Sequence, residues 1–315
     1  MITNLVGSFW FRALLSATVL VYLLSRLDGR EALGVVVAVD AWYFLAAIVI
    51  DAGTRATMIS RWVVLLRSRG ATISVWDVTR IFFVTSFIGT ALPTGGADVA
   101  RAYALSRQTD DGRAALASVT VDRLLGVAAL TTIAIVGLTL AAPEEIQPLG
   151  QLGPFVAGAS VVTVGALVAA VWADRLARTI LPASVQQTRL GRWLVETADN
   201  VVQYRDRRGI LAAVFGQSLV VQGLRILEVF VLATGLGLDV SLVYYLIFMP
   251  VGLLAFMLPV SVAGIGVPQG VFVWLLRPAG VADATAFALS TLFVLVGVLG
   301  TLPGLYLHLR ARNEF

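Results

Sequence analysis

Two stretches of this chain, 124–143 and 152–173, contain no charged side chain. Each matches the roughly 20 residues that a helix needs to cross the hydrocarbon core of a bilayer. Inside hydrocarbon, backbone polar groups must be satisfied within the segment, so an uncharged run of this length folds as a helix. Apolar segments recur at about 9–25, 33–53, 76–92, 114–141, 152–173, 209–234, 242–258 and 284–307. Hydrophobic residues make up 58% of the chain and charged residues 13%. Soluble domains carry about 25% charge, so too little is left here to build a surface that faces water. The first segment lacks a basic leader and a small-residue cleavage site, and reads as a retained span rather than a signal peptide. The chain therefore reads as an all-α integral membrane protein, with no soluble domain large enough to fold alone.

Two of the eight segments end in breaks. Leu92-Pro93-Thr94-Gly95-Gly96 follows 76–92, and Leu258-Pro259-Val260-Ser261-Val262-Ala263-Gly264-Ile265-Gly266 follows 242–258. Proline removes a donor and clashes with the preceding turn, while glycines let the backbone reverse. The arm after each break, 97–107 or 267–277, is too short to span, which predicts re-entrant hairpins over 76–107 and 242–277. The turns would be made by Pro93, Gly95 and Gly96, and by Pro259, Ser261, Gly264 and Gly266. Pro93 and Pro259 are 166 residues apart, and Gly112 and Gly280 are 168 apart. This spacing predicts an internal repeat, with units 1–145 and 150–315.

Arginine placement orients the units. Loop 174–208 holds Arg175, Arg178, Arg189, Arg192, Arg205, Arg207 and Arg208, which places it in the cytoplasm. The loops near 142–151 and 235–241 carry Glu144, Glu145 and Asp239 and no arginine, which places them outside. Arg61, Arg67, Arg69, Arg107 and Arg113 put the first hairpin on the cytoplasmic side, and Arg310 and Arg312 put the C-terminus inside. Only six spanning helices plus two re-entrant hairpins satisfy all of these, with both termini cytoplasmic. The two units then have inverted topology, as in secondary transporters whose site lies at the repeat interface near the midplane.

The chemistry available is narrow. There is no cysteine, and the one histidine is His308, so thiolate and histidine metal sites and histidine-based triads are excluded. No Walker loop is present, so the chain alone does not hydrolyse nucleotide. No metal or cofactor is expected. All 23 basic residues are arginine, and the net charge of +4 reads as an orientation signal rather than a nucleic-acid footprint. Ionisable residues at membrane depth cost about 2.5–3.5 kcal/mol on insertion scales, so each requires a reason. Asp98 and Arg101 follow the first break, and Asp122 and Arg123 lie about 13 Å into the next span. Arg225 and Glu228 share a helix face at i,i+3 spacing, and Asp40 falls within the second apolar segment. Together they suit an arginine-lined pocket for an anionic head group, since arginine binds phosphate in a bidentate fork. Ion pairs that only fix helix packing are the structural alternative. Trp10, Trp42, Trp62, Trp193 and Tyr244 are expected in an interfacial belt. Segment 175–208 reads as an amphipathic helix on the anionic leaflet or as a solvated loop.

The run Leu92 to Arg101, then Asp122-Arg123, then Pro259 to Val267 resembles the lysylphosphatidylglycerol synthase transmembrane family. That flippase-like family is related to the membrane half of the multiple peptide resistance factor. The resemblance covers nearly the whole chain, and the second glycine motif is its more specific part. It implies movement of phospholipids, aminoacyl-phospholipids or polyprenyl-phosphate-linked sugars between leaflets of the plasma membrane. It also implies that Asp98, Arg101 and Arg123 fall on the family's polar positions. Gln269 stands where many members have glutamate, and Phe293 where an arginine is expected. The leading expectation is a lipid flippase or scramblase without nucleotide hydrolysis, whose partners are membrane lipids. Arg101, Arg123, Asp98, Asp122, Arg225, Glu228 and Gln269 would line its path. An integral membrane transferase acting on a lipid phosphate is the alternative; it would use Asp98, Asp110, Asp111 and Asp122 and show divalent-metal dependence. A non-catalytic subunit docking a lipid-modifying enzyme through loop 174–208 is the third reading, and a homo-oligomer is compatible with all three.

Overall fold

The computed structural model describes residues 34–90, 92, 96–108, 112–142, 152–256 and 266–311, and regular structure among them is entirely helical. The helices are α1 (Ala41–Arg67), α2 (Val75–Thr90), α3 (Gly96–Gln108), α4 (Gly112–Leu140) and α5 (Leu152–Val171). They continue as α6 (Ala173–Ile180), α7 (Ala183–Gln186), α8 (Arg189–Val202) and α9 (Arg208–Gly235). The last are α10 (Leu242–Phe256), α11 (Val267–Leu276), α12 (Asp283–Leu299) and α13 (Leu302–Ala311), with a 3-10 turn at Arg277–Ala279. Leu116–Leu140, Arg208–Gly235 and Asp283–Arg310 are long and apolar enough to cross a membrane. A fourth span results if α5 is counted together with α6, although the chain bends by 89° between them. The first apolar segment lies outside the described residues, as do Pro93, Gly95, Pro259, Ser261, Gly264, Asp110 and Asp111.

The second apolar segment differs from its expectation. Asp40 is not inside the span but caps it: its exposed carboxylate accepts a hydrogen bond from Trp42 N at 2.8 Å, satisfying an N–H that has no partner within the helix. The helix then runs 27 residues to Arg67, well past position 53. It continues because Asp51, Arg55 and Arg61 find partners within the bundle, so the charges do not end it. Arg61 is accordingly buried in a helix, not placed in a loop. Segment 174–208 is helical too, and Arg178 of α6 donates to Asp199 of α8 at 2.9 Å. Trp42 is exposed, as a belt residue would be. Trp62 and Tyr244 are buried instead, and the Tyr244 hydroxyl donates to Leu275 O at 2.7 Å.

At the centre α1 and α9 pack antiparallel. Asp40 N bonds Gly235 O at 3.2 Å at one end, and Gln217 Nε2 bonds Ser60 Oγ at 3.2 Å at the other. Around this pair the contacts are reciprocal. The helix α4 crosses α10, while α13 crosses α2; α3 joins α2 to α4, and α11 joins α10 to α12. Both crossings use a glycine. A Cβ on Gly137 would come within 3.0 Å of Leu246, and one on Gly304 would overlap the carbonyl of Phe83. These glycines are 167 residues apart. Each hairpin also packs arm on arm, with no room for a Cβ on Gly89 beside Ala97, and with Gly252 facing Val271 and Leu275.

Candidate functional site: an arginine-lined cavity at the first hairpin

A cavity of about 330 Å³ opens between α1, the α2–α3 hairpin, α4 and α9. Four arginines line it: Arg55 from α1, Arg101 from α3, Arg123 from α4 and Arg225 from α9. A deeper chamber of about 60 Å³ lies between α1, α4, α9 and α10, lined by Arg61, Asp122 and Gln222 among others. Met58, Arg123 and Arg225 line both spaces and so stand at their junction.

The four guanidiniums are held differently. Arg55 Nε pairs with Asp51 at 2.6 Å, one helical turn back, and Nη2 donates to Gly297 O at 2.7 Å. The pair presses so closely on α12 that a Cβ at Gly300 would overlap both side chains. Arg123 is bound to Asp98 at 2.6 Å, which ties α3 to α4, yet its side chain keeps 46% exposure. Arg101 is buried over the ring of Phe82, 4.6 Å from its centroid, and near Trp62. Cation–π contact of this kind holds a guanidinium in place without using its donors. Asp98 approaches Arg101 to only 3.8 Å, and Arg101 Nε has no hydrogen-bond partner among the described residues. Among the described residues, Arg225 Nη2 reaches Met58 Sδ, at 3.8 Å. Arg101 and Arg225 thus line the cavity without a hydrogen bond from either to a carboxylate among the described residues.

Asp122 plays another part. Arg61 Nε lies 2.6 Å from Asp122 Oδ1, Arg61 Nη2 donates to Oδ2 at 2.8 Å, and Nη1 donates to Ser218 Oγ at 2.9 Å. Both partners are buried, so the fork links α1, α4 and α9. Glu228 lies one turn beyond Arg225 at 2% exposure, and no ion pair joins the two. Gln269 is not at the cavity. It is buried in the second hairpin, where its Oε1 accepts from Gly266 N at 2.7 Å. Gly266 has φ of +91°, which glycine adopts without strain. Phe293 stacks on Phe272 with centroids 6.0 Å apart. Of the residues singled out by sequence, Asp98, Arg101, Arg123 and Arg225 converge on this cavity and its immediate wall, with Asp122 at the adjoining chamber. Asp51, Arg55 and Arg61 were missed. The signal was present: Asp51–Arg55 has i,i+4 spacing, and the apolar run Trp62-Val63-Val64-Leu65-Leu66 continues the helix beyond them.

Apolar helices of spanning length, with charged side chains gathered inside the bundle around a cavity, define a multi-pass helical membrane protein. The family model for the lysylphosphatidylglycerol synthase TM region matches residues 9–304, and the chain belongs to that family. No curated protein matches the chain.

Proposed function

We propose that this protein is a flippase- or scramblase-type transporter rather than an enzyme, and that it moves an anionic lipid between leaflets without nucleotide hydrolysis. The convergence of four arginines on one cavity carries this reading, because two of them are hydrogen-bonded to no carboxylate among the described residues. Guanidinium forks suit phosphate, so Arg101 and Arg225 would grip a lipid phosphate while Arg123, held by Asp98, would flank it. Phospholipids, aminoacyl-phospholipids and polyprenyl-phosphate-linked sugars all present such a group, and family membership supports a lipid substrate.

The architecture proposed with it is six spans and two re-entrant hairpins in inverted repeats 1–145 and 150–315. The antiparallel α1–α9 pair, the reciprocal crossings and the paired glycines Gly137 and Gly304 support it. Arginine-rich α6–α8 and the positive-inside rule support a plasma-membrane orientation with both termini in the cytoplasm. Rocking of the two units would then expose the cavity to each side in turn.

The test is leaflet translocation in proteoliposomes, with labelled phospholipid and a polyprenyl-phosphate sugar, for the native chain and Arg101→Ala. Protein-dependent movement of either lipid that is lost in the variant is expected. No movement of either lipid, with or without an imposed proton gradient, would overturn the reading. Divalent-metal-dependent modification of the lipid would point to a transferase instead.

A further inference from the structure

Glu228 has no assigned purpose in lipid binding, yet its placement is costly. It is 2% exposed, in the C-terminal half of α9, and its Oε1 meets no hydrogen-bond donor among the described residues. A buried carboxylate without a partner persists only where another group compensates it or where it takes a proton. Asp51 and Arg55, from the α1 face packed on α9, line one cavity with Arg225, which lies one turn before Glu228 on its own helix. Arg55 is already committed to Asp51 and to the Gly297 carbonyl. Among the described residues, Arg225 is bonded to no carboxylate, and it is also a wall of the arginine-lined cavity.

The other elements packed against α9 bring charged groups that are paired with one another, and two tyrosines. From α1 and α4 come Arg61 and Asp122, bonded to each other, and Arg123, bonded to Asp98. From α10 come Tyr244, which donates to Leu275 O, and Tyr245, whose hydroxyl has no partner among the described residues. From α12 comes Asp283, at the far N-terminal end and paired with Arg277.

We propose that Glu228 is a proton-binding site linked to the cavity, so that an anionic head group at Arg225 is taken up together with one proton on Glu228. This rests on the reading of the cavity as a lipid-phosphate site. Asp51, Arg55, Glu228 and Arg225 are neutral as a set when Glu228 is ionised. A phosphate drawn to Arg225 adds one negative charge in a low-dielectric setting, and protonation of Glu228 to the neutral acid restores the balance. No bond of the lipid breaks; one proton moves from solvent to a Glu228 oxygen. By linkage, whatever protonates Glu228 tightens anion binding, so affinity rises as pH falls.

The experiment measures binding of short-chain phosphatidylglycerol, a phosphodiester whose charge is constant across the range, to the detergent-purified full chain. Calorimetry at about pH 5.5 and pH 8 is expected to show binding about tenfold tighter at the lower pH. It should also show proton uptake in weakly buffered solution. Glu228→Gln, a neutral mimic of the acid form, is expected to bind at the native low-pH affinity at both pH values, without proton uptake. A thermal melt of each protein in detergent separates this outcome from misfolding, and Glu228→Asp is the second variant, expected to restore pH dependence. Native binding of equal strength at both pH values, or persisting pH dependence in a folded Glu228→Gln, would overturn the proposal and leave the lipid site standing. Absence of binding at either pH in the native chain would overturn both the proposal and the lipid-site reading.

Discussion

The hairpins α2–α3 and α10–α11 have the same layout and opposite chemistry. In the first, Arg101 on the return arm and Ser86 and Thr90 on the outgoing arm line an open cavity. In the second, the arms bury a run of aromatics: Tyr245 packs edge-on to Phe248, Phe248 edge-on to Phe272, and Phe272 stacks on Phe256 and Phe293. Among the described residues at its turn, the buried Gln269 accepts from Gly266 N and so caps the helix. Lipid tails are as apolar as these rings, so packing shape rather than water exclusion holds the second hairpin in place. The first hairpin thus sets charged side chains at a cavity, and the second is packed through aromatic rings.

That contrast can be broken in four ways. The largest effect is on transport: Arg101→Ala should abolish lipid movement in proteoliposomes while costing little stability, since only its ring contacts and cavity donors are lost. Next, Asp122→Ala should destabilise by about 3–5 kcal/mol in denaturant titration in detergent, because Arg61 is left buried without its countercharge. A loss far smaller than that would mean water reaches Arg61 through the deeper chamber. Phe272→Ala should cost about 2 kcal/mol in the same assay, below the ~3–5 of a water-soluble core, since lipid also solvates the freed ring. Lipid binding should survive in that variant; if it does not, the second hairpin is part of the site. The smallest effect is Gln269→Ala, about 1 kcal/mol from loss of the cap, with transport unchanged.

Much of this contrast was legible in the chain. The charge-free runs fall on α4 and α5, whereas Pro93, Gly95, Pro259 and Gly264 of the two breaks lie outside the described residues. Asp98, Arg101 and Arg123 stood out because charge at membrane depth needs a reason. The extent of α1 was not legible, because apolarity was taken as the sign of a buried helix and Asp51, Arg55 and Arg61 interrupt it. Their partners, Gly297 and Asp122, lie 242 and 61 residues away in the chain and cannot be paired by local spacing. Gln269 was likewise placed at the site by its position after a glycine turn, whereas its side chain folds back on that turn. Trp62 and Tyr244 fell near expected helix ends, yet neighbouring helices cover them, a matter of packing rather than of sequence.

The bend between α5 and α6 has a consequence for where this protein can reside. The twenty residues of α5 measure about 30 Å end to end, close to the thickness of an average hydrocarbon core. At Trp172 the chain turns by 89°, and the Trp172 N–H is shared between the carbonyls of Val168 and Ala169 at 3.3 Å each. The backbone thus stays bonded through the elbow, and the Arg175 guanidinium covers the Trp172 ring at 4.5 Å. A helix that continued straight could slide to suit a thicker bilayer. Counted as the fourth span, a helix that ends in a bonded right angle would have a fixed length, and would meet a thickness mismatch by tilting or by deforming the lipid around it.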